Sequence, residues 1–125
     1  MIRKVLLVDD DPDIRKIGRL SLTGVAKWEV CLASNGKEAL ELAALEKPDV
    51  ILLDISMPDM DGVATLGKLR EQTQSQGTPI IMTTSRPEDS DAEACLQIGA
   101  VGVLRKPFNP TTLPNDIANI VQPEG

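Results

Sequence analysis

The stretch DVILLDISMPDMDG, residues 49–62, decides how this chain is read. Val50 to Leu53 are apolar without a break, and the run ends on a carboxylate, Asp54. So short and continuous a run is the pattern of a strand buried on both faces, which belongs to parallel sheets. Pro58, Asp59 and Asp61 read as a turn, since proline presets φ and aspartates bond their own backbone. Gly62 then opens a helix. No Lys, Arg or His within the stretch can pair with Asp54. Its charge must be balanced from elsewhere in the chain.

The flanking sequence repeats the alternation of strand and helix. KVLLV (4–8) is a first buried strand. Asp11 is placed to cap the next helix and Pro12 to begin it, with Ile14, Ile17 and Ser21 on one face and Gly24 near its stop. WEVCLA (28–33) alternates, with Trp28, Val30 and Leu32 on one side, as an edge strand would. NGKEALELAALEK forms a second helix, closed by Pro48. GVATLGKLREQ forms a third and leads into the polar linker TQSQGT. PIIMTT is the fourth strand and PEDSDAEACLQIG the fourth helix, its acidic first turn suiting the helix dipole. AVGVLRK is the fifth strand. In NPTTLPNDIANIV, Pro114 removes a hydrogen bond one turn in, so the last helix begins late or bends. Five strands alternating with five helices predict an α/β fold on a parallel sheet, with helices on both faces.

The 125 residues suit one domain, 1–125, with few residues left after the last helix and no output domain expected in the chain. Hydrophobic residues make up 42% and charged residues 26%, an ordinary soluble composition. No apolar run approaches a bilayer span or a signal peptide's apolar region, so a cytoplasmic location and no membrane partner are expected. A net charge of −6 opposes nucleic-acid binding. The one local basic cluster, Arg15, Lys16 and Arg19, reads as a solvated helix face. Cys31 and Cys95 have neither CxxC spacing nor any histidine beside them, and read as two small semi-buried thiols rather than zinc ligands or a disulfide.

In such sheets function collects at the carboxyl ends of the strands. There the sequence puts Asp9, Asp10 and Asp11, then Asp54, then Thr83, Thr84 and Ser85, then Lys106 before Pro107. Strand two offers only Ala33, Ser34 and Asn35. Two carboxylates about 4 Å apart repel by about 4 kcal/mol at an effective dielectric near 20, so the cluster calls for compensation. Mg²⁺, a hard cation that accepts one or two carboxylates and keeps its waters, suits it, and Lys106 adds a mobile positive charge. A carboxylate so supported can accept a phosphoryl group as an acyl phosphate, with metal, hydroxyl and ammonium neutralising the phosphoryl oxygens.

Taken in order, LLVDDDPDIR, PDVILLDISMPDMDG, PIIMTTS and GAVGVLRKPF resemble the receiver domain of bacterial two-component response regulators, over nearly the whole chain. The resemblance implies a flavodoxin-like, doubly wound five-stranded sheet of order 2-1-3-4-5 between five helices. It implies that Asp54 is the phosphoacceptor, served by a histidine kinase or histidine phosphotransfer protein in a phosphorelay. Asp10 would be a direct Mg²⁺ ligand, Asp9 its water-bridged companion, and the Ser56 backbone carbonyl would complete the protein ligands with Asp54. Thr84 matches the switch hydroxyl; Thr83, on the opposite face of the strand, is the alternative. Lys106 matches the lysine that engages the phosphoryl group, and its bond to Pro107 is expected to be cis. Phosphorylation would change affinity for a downstream protein, and the acyl phosphate would be lost by self-catalysed hydrolysis. Ser85 and Arg86 sit where side chains tune access of water to it. One position departs from the pattern: Val103 stands where many receivers carry Tyr or Phe. Valine is short and stiff at χ1, so no aromatic swing can report phosphorylation.

Two other readings compete. A degenerate receiver would bind partners without phosphorylation, which Val103 allows but the full set of motif residues opposes. A Mg²⁺-dependent aspartyl-phosphate phosphatase resembling haloacid dehalogenases would need a second acid two residues after the nucleophile, where this chain has Ser56.

Overall fold

The computed structural model describes residues 2–57, 62–72, 77–86 and 90–121. The proposed turn residues Asp59 and Asp61, most of the polar linker and the first residues of the fourth predicted helix lie outside them. The elements run β1 (Lys4–Val8), α1 (Pro12–Gly24), β2 (Glu29–Ala33), α2 (Gly36–Glu46), β3 (Val50–Asp54), α3 (Gly62–Glu71), β4 (Ile80–Thr84), α4 (Ser90–Ile98), β5 (Gly102–Arg105) and α5 (Leu113–Val121). The five strands form one parallel sheet in the order β2-β1-β3-β4-β5. This is the flavodoxin-like α/β arrangement expected from the sequence.

Side-chain alternation along each strand sends successive residues to opposite layers. Leu6, Val8, Ile51, Leu53, Ile80 and Met82 pack with Ala39 and Ala43 of α2, Leu66 and Leu69 of α3, and Ala92 and Cys95 of α4. Val5, Leu7, Val50, Leu52 and Ile81 pack on the other face with Leu22 of α1 and Leu113 and Ile117 of α5. All five residues of β3 are buried, as a central strand requires, while β2 at the edge is only partly covered. Each leucine or isoleucine so buried stabilises the fold by about 1.5–3 kcal/mol.

Local chemistry sets the boundaries. The Asp11 side chain accepts from the Asp13 amide at 2.9 Å and Pro12 opens α1. Asn35 caps α2 through the Glu38 amide at 2.8 Å. That helix stops at Lys47, in the left-handed region at φ 49, just before Pro48. As the Pro114 argument anticipates, α5 begins late, at Leu113, with the proline in its first turn where no intrahelical donor is needed. The face expected of α1 is corrected. Ile17 is 36% exposed, and Gly18, Ser21 and Leu22 are the buried positions, with Ile14 beside them. Gly18 turns inward because α1 lies close on β1: a Cβ there would meet Leu7 at 2.5 Å. Both cysteines are free, Cys95 buried and Cys31 half-buried. Among the described residues no helix is long and apolar enough to cross a membrane.

Candidate functional site

At the carboxyl edge of the sheet, Asp9, Asp10, Asp11, Pro12, Asp54, Ser56, Thr84, Ser85, Arg86 and Lys106 line one cleft of about 500 Å³. Four connections, from β1, β3, β4 and β5, therefore deliver their polar residues to one place. β2 ends away from it: Asn35 caps its own helix, and Ser34 bonds Glu38 at 2.7 Å.

Asp9 is fully buried and both of its carboxylate oxygens are engaged. Oδ1 accepts the Asp11 amide at 2.9 Å, and Oδ2 accepts Lys106 Nζ at 2.8 Å. Asp10 is exposed to the cleft and carries no hydrogen bond among the described residues. Asp54 is 2% exposed; its Oδ1 lies 3.1 Å from Lys106 Nζ and accepts the Ser56 amide at 3.2 Å. Its Oδ2 has no hydrogen-bonding partner among the described residues, which makes it the open oxygen of the carboxylate. Lys106 thus answers the question raised by the apolar run that ends on Asp54: the counter-charge arrives from β5, two strands away.

Burial, and then the neighbouring Asp9 charge, push the Asp54 carboxyl up to about 6, against the pull of Lys106 and the Ser56 amide. Burial disfavours the Lys106 ammonium as well. Its bond to Asp9, with the charges of Asp54 and Asp9, outweighs this and holds its pKa above the ordinary 10.5. The site is an electrostatically loaded triangle, kept together by mutual need.

Asp9, Asp10 and Asp54 each offer an oxygen within 4.8 Å of the others. An all-oxygen, carboxylate-rich donor set fits a hard divalent cation such as Mg²⁺. The free oxygens of Asp10 make it the readiest ligand, while Asp9 is already occupied by protein donors.

The two threonines separate as strand alternation requires. Thr84 reaches the cleft, where its Oγ1 accepts the Arg86 amide at 3.0 Å. That bond uses a lone pair and leaves the hydroxyl proton to donate. Thr83 is fully buried, outside the cleft lining. The Lys106–Pro107 peptide is cis. Val103 is half-buried against the layer that holds Met82, its register partner.

One support is not legible in the sequence, and a second, Gly62, is legible as the start of α3 but not for its close approach to β3. Arg15, counted with the solvated basic face, turns its guanidinium back to the Asp9 carbonyl at 2.6 Å and braces the β1–α1 turn. Its position one turn into α1, after a strand that ends in acids, is the signal that could have found it. Gly62 is the other: its amide donates to the Ile55 carbonyl at 2.6 Å, and a Cβ there would strike the Asp54 carbonyl oxygen. Only glycine lets α3 start so close to the end of β3.

Known proteins share this fold. The family model described as the response regulator receiver domain matches residues 5–118. The alkaline phosphatase synthesis transcriptional regulatory protein PhoP of Bacillus subtilis is 38% identical over 88% of this chain and 45% of its own length. The chain spans about half the length of that and the other leading curated relatives. The chemotaxis protein CheY4 of Vibrio cholerae superposes with a TM-score of 0.89 at 38% identity, covering 96% of this chain and 99% of that one. The receiver domain of a Pseudomonas aeruginosa sensor histidine kinase, solved with a magnesium ion coordinated in its active-site cleft, gives 0.85 at 29% identity, covering 97% and 98%. The likeness runs from the first strand into the last helix and includes the strand ends that build the cleft. This chain belongs to the response regulator receiver domains of two-component signalling systems.

Proposed function

We propose that residues 1–125 act as one receiver unit in which Asp54 accepts a phosphoryl group from a histidine kinase or histidine phosphotransfer protein, in the cytoplasm. The observation that carries this reading is the single ammonium of Lys106 within 3.1 Å of two buried carboxylates that arrive from different strands. One ammonium between two carboxylates that have both left water leaves a net negative charge at an open cleft, where a cation and a phosphoryl group can be received.

In the reaction, Asp54 Oδ2 attacks phosphorus as the bond from phosphorus to the donor's histidine nitrogen breaks. The electron pair stays with the imidazole, which recovers a proton from solvent. Lys106 follows the negative charge outward as it moves from the carboxylate to the phosphoryl oxygens, and Thr84 donates its hydroxyl proton to one of them. Asp10, Asp54 and the Ser56 carbonyl would hold Mg²⁺ directly, with Asp9 acting through water. The ion supplies charge neutralisation of the phosphoryl oxygens and a fixed approach direction. Ser85 and Arg86, on the cleft's rim, govern water's approach and hence the rate of self-catalysed hydrolysis.

The phosphorylated protein changes affinity for a downstream protein. With Val103 in place of an aromatic, that change travels through the Thr84 and Lys106 loops rather than a ring swing. Incubation with acetyl phosphate and Mg²⁺, read by intact mass, tests the reading. One phosphoryl adduct on the wild type and none on Asp54→Asn is expected. No adduct under conditions that label another receiver favours partner binding without phosphorylation, and steady turnover of aryl phosphates favours a phosphatase.

A further inference from the structure

Thr83 is fully buried, and its hydroxyl oxygen has no hydrogen-bond partner. Valine would fill the same space without leaving a polar atom unsatisfied, so this threonine runs against core chemistry. Its place in the sheet is specific. Thr83 is the register partner of Asp54 on one side and of Leu104 on the other. Register partners carry their side chains on the same face, on strands about 4.8 Å apart. Lys106 follows Leu104 by two residues and so leaves β5 on that face as well. To reach Asp54 and Asp9 its side chain crosses the β4 position, in the row just beyond Thr83.

Resting Asp54 Oδ1 has two donors, Lys106 and the Ser56 amide. Phosphorylation at Oδ2 turns Oδ1 from half of a carboxylate into a neutral acyl oxygen, and the negative charge moves out to the phosphoryl group. The ammonium follows it, since charge-assisted bonds are about twice as strong as neutral ones. Oδ1 then keeps only the Ser56 amide as a donor, while the hydroxyl of its register partner Thr83 lacks an acceptor. We propose that Thr83 is a positioning residue of the phosphoryl-bearing state: its hydroxyl turns about χ1 and donates to Asp54 Oδ1 as Lys106 leaves it. This inference rests on the phosphoacceptor reading of Asp54 and deepens it. It also gives the two adjacent threonines different tasks, Thr84 on the phosphoryl oxygens and Thr83 on the acyl oxygen beneath.

The test is isothermal titration with beryllofluoride and Mg²⁺, beside urea unfolding of the ligand-free protein, for wild type, Thr83→Val and Thr83→Ser. Thr83→Val should unfold at the same or higher urea than wild type yet bind beryllofluoride about fivefold more weakly, the worth of one neutral hydrogen bond. Thr83→Ser keeps the hydroxyl and should bind within about twofold of wild type. Wild-type affinity in Thr83→Val would overturn the inference and leave the hydroxyl a silent core atom. Equal weakening in Thr83→Ser would overturn it too, by assigning the effect to the lost methyl group. If Thr83→Val does not fold, Thr83→Ser against Thr83→Ala carries the same comparison. Failure of the wild type itself to bind would strike the phosphoacceptor reading, and this inference with it.

Discussion

Two lysines in this fold each stand between a pair of acids, and their surroundings make them different devices. Lys4, at the amino end of β1, lies 3.0 Å from Glu46 and 3.6 Å from Glu29. Lys106, just past β5, lies 2.8 Å from Asp9 and 3.1 Å from Asp54. The Glu29 side chain is 78% exposed, whereas those of Asp9 and Asp54 are 0% and 3% exposed. Water screens the first cluster, so its ions lose little when separated. In the second, each charge has left water and depends on the others. The same count of charges gives a surface brace at one end of the sheet and a buried, mutually dependent ion cluster at the other.

The largest expected difference follows from removing each lysine. Lys106→Ala strands two buried carboxylates and should lower unfolding stability by about 3 kcal/mol at pH 7, measured by urea titration. A negligible loss would mean that water already screens the pair, and the contrast with Lys4 would collapse.

Next comes Asp54→Asn. The fold lifts this carboxyl from its ordinary 3.8 to about 6. Folding therefore favours the protonated form, and ionised Asp54 opposes stability fully above pH 6 and not below 3.8. Asp54→Asn should be more stable than wild type by up to about 3 kcal/mol at pH 7, with the advantage fading as pH falls towards 4. A pH-independent difference would contradict the burial argument. With Asp54 in its proposed role of phosphoacceptor, the same lift means that protonation removes the attacking carboxylate, so labelling by acetyl phosphate should decline below pH 6.

A smaller effect is expected from the metal. Mg²⁺ at about ten times its dissociation constant should stabilise the wild type by about 1.4 kcal/mol. Asp10→Asn should blunt that gain, as thermal unfolding with and without Mg²⁺ would reveal. The smallest effect is at Lys4: Lys4→Ala should leave the urea midpoint almost where it was, with any change vanishing in added salt.

Much of this is legible in the sequence alone. Val50–Leu53 announced a central strand because only a strand covered on both faces is apolar at every position. Asp11, Pro12 and Pro114 act through local backbone chemistry, so their effects on helix starts followed from type and position. Asp9, Asp10, Asp54, Thr84 and Lys106 were legible as a group because parallel strands all deliver their carboxyl ends to one rim. What stayed hidden depends on close approach between elements. Ile17 looked as suitable for the core as Ile14, and only the proximity of α1 to Leu7 turns Gly18 inward. Arg15 looked solvated because its acceptor is a backbone carbonyl, which no residue type reveals. Nothing in Thr83–Thr84 states which hydroxyl is left unpartnered, or which oxygen of Asp54 stays open.

The most direct test of the Lys106–Asp54 centre is chemical trapping of the acyl phosphate. Protein treated with acetyl phosphate and Mg²⁺ is reduced with borohydride, digested and sequenced by mass spectrometry. Conversion of Asp54 to homoserine, abolished in Asp10→Asn labelled at limiting Mg²⁺, is the expected result. Homoserine at any other aspartate, or at none in a protein that carries a phosphoryl adduct, would contradict it.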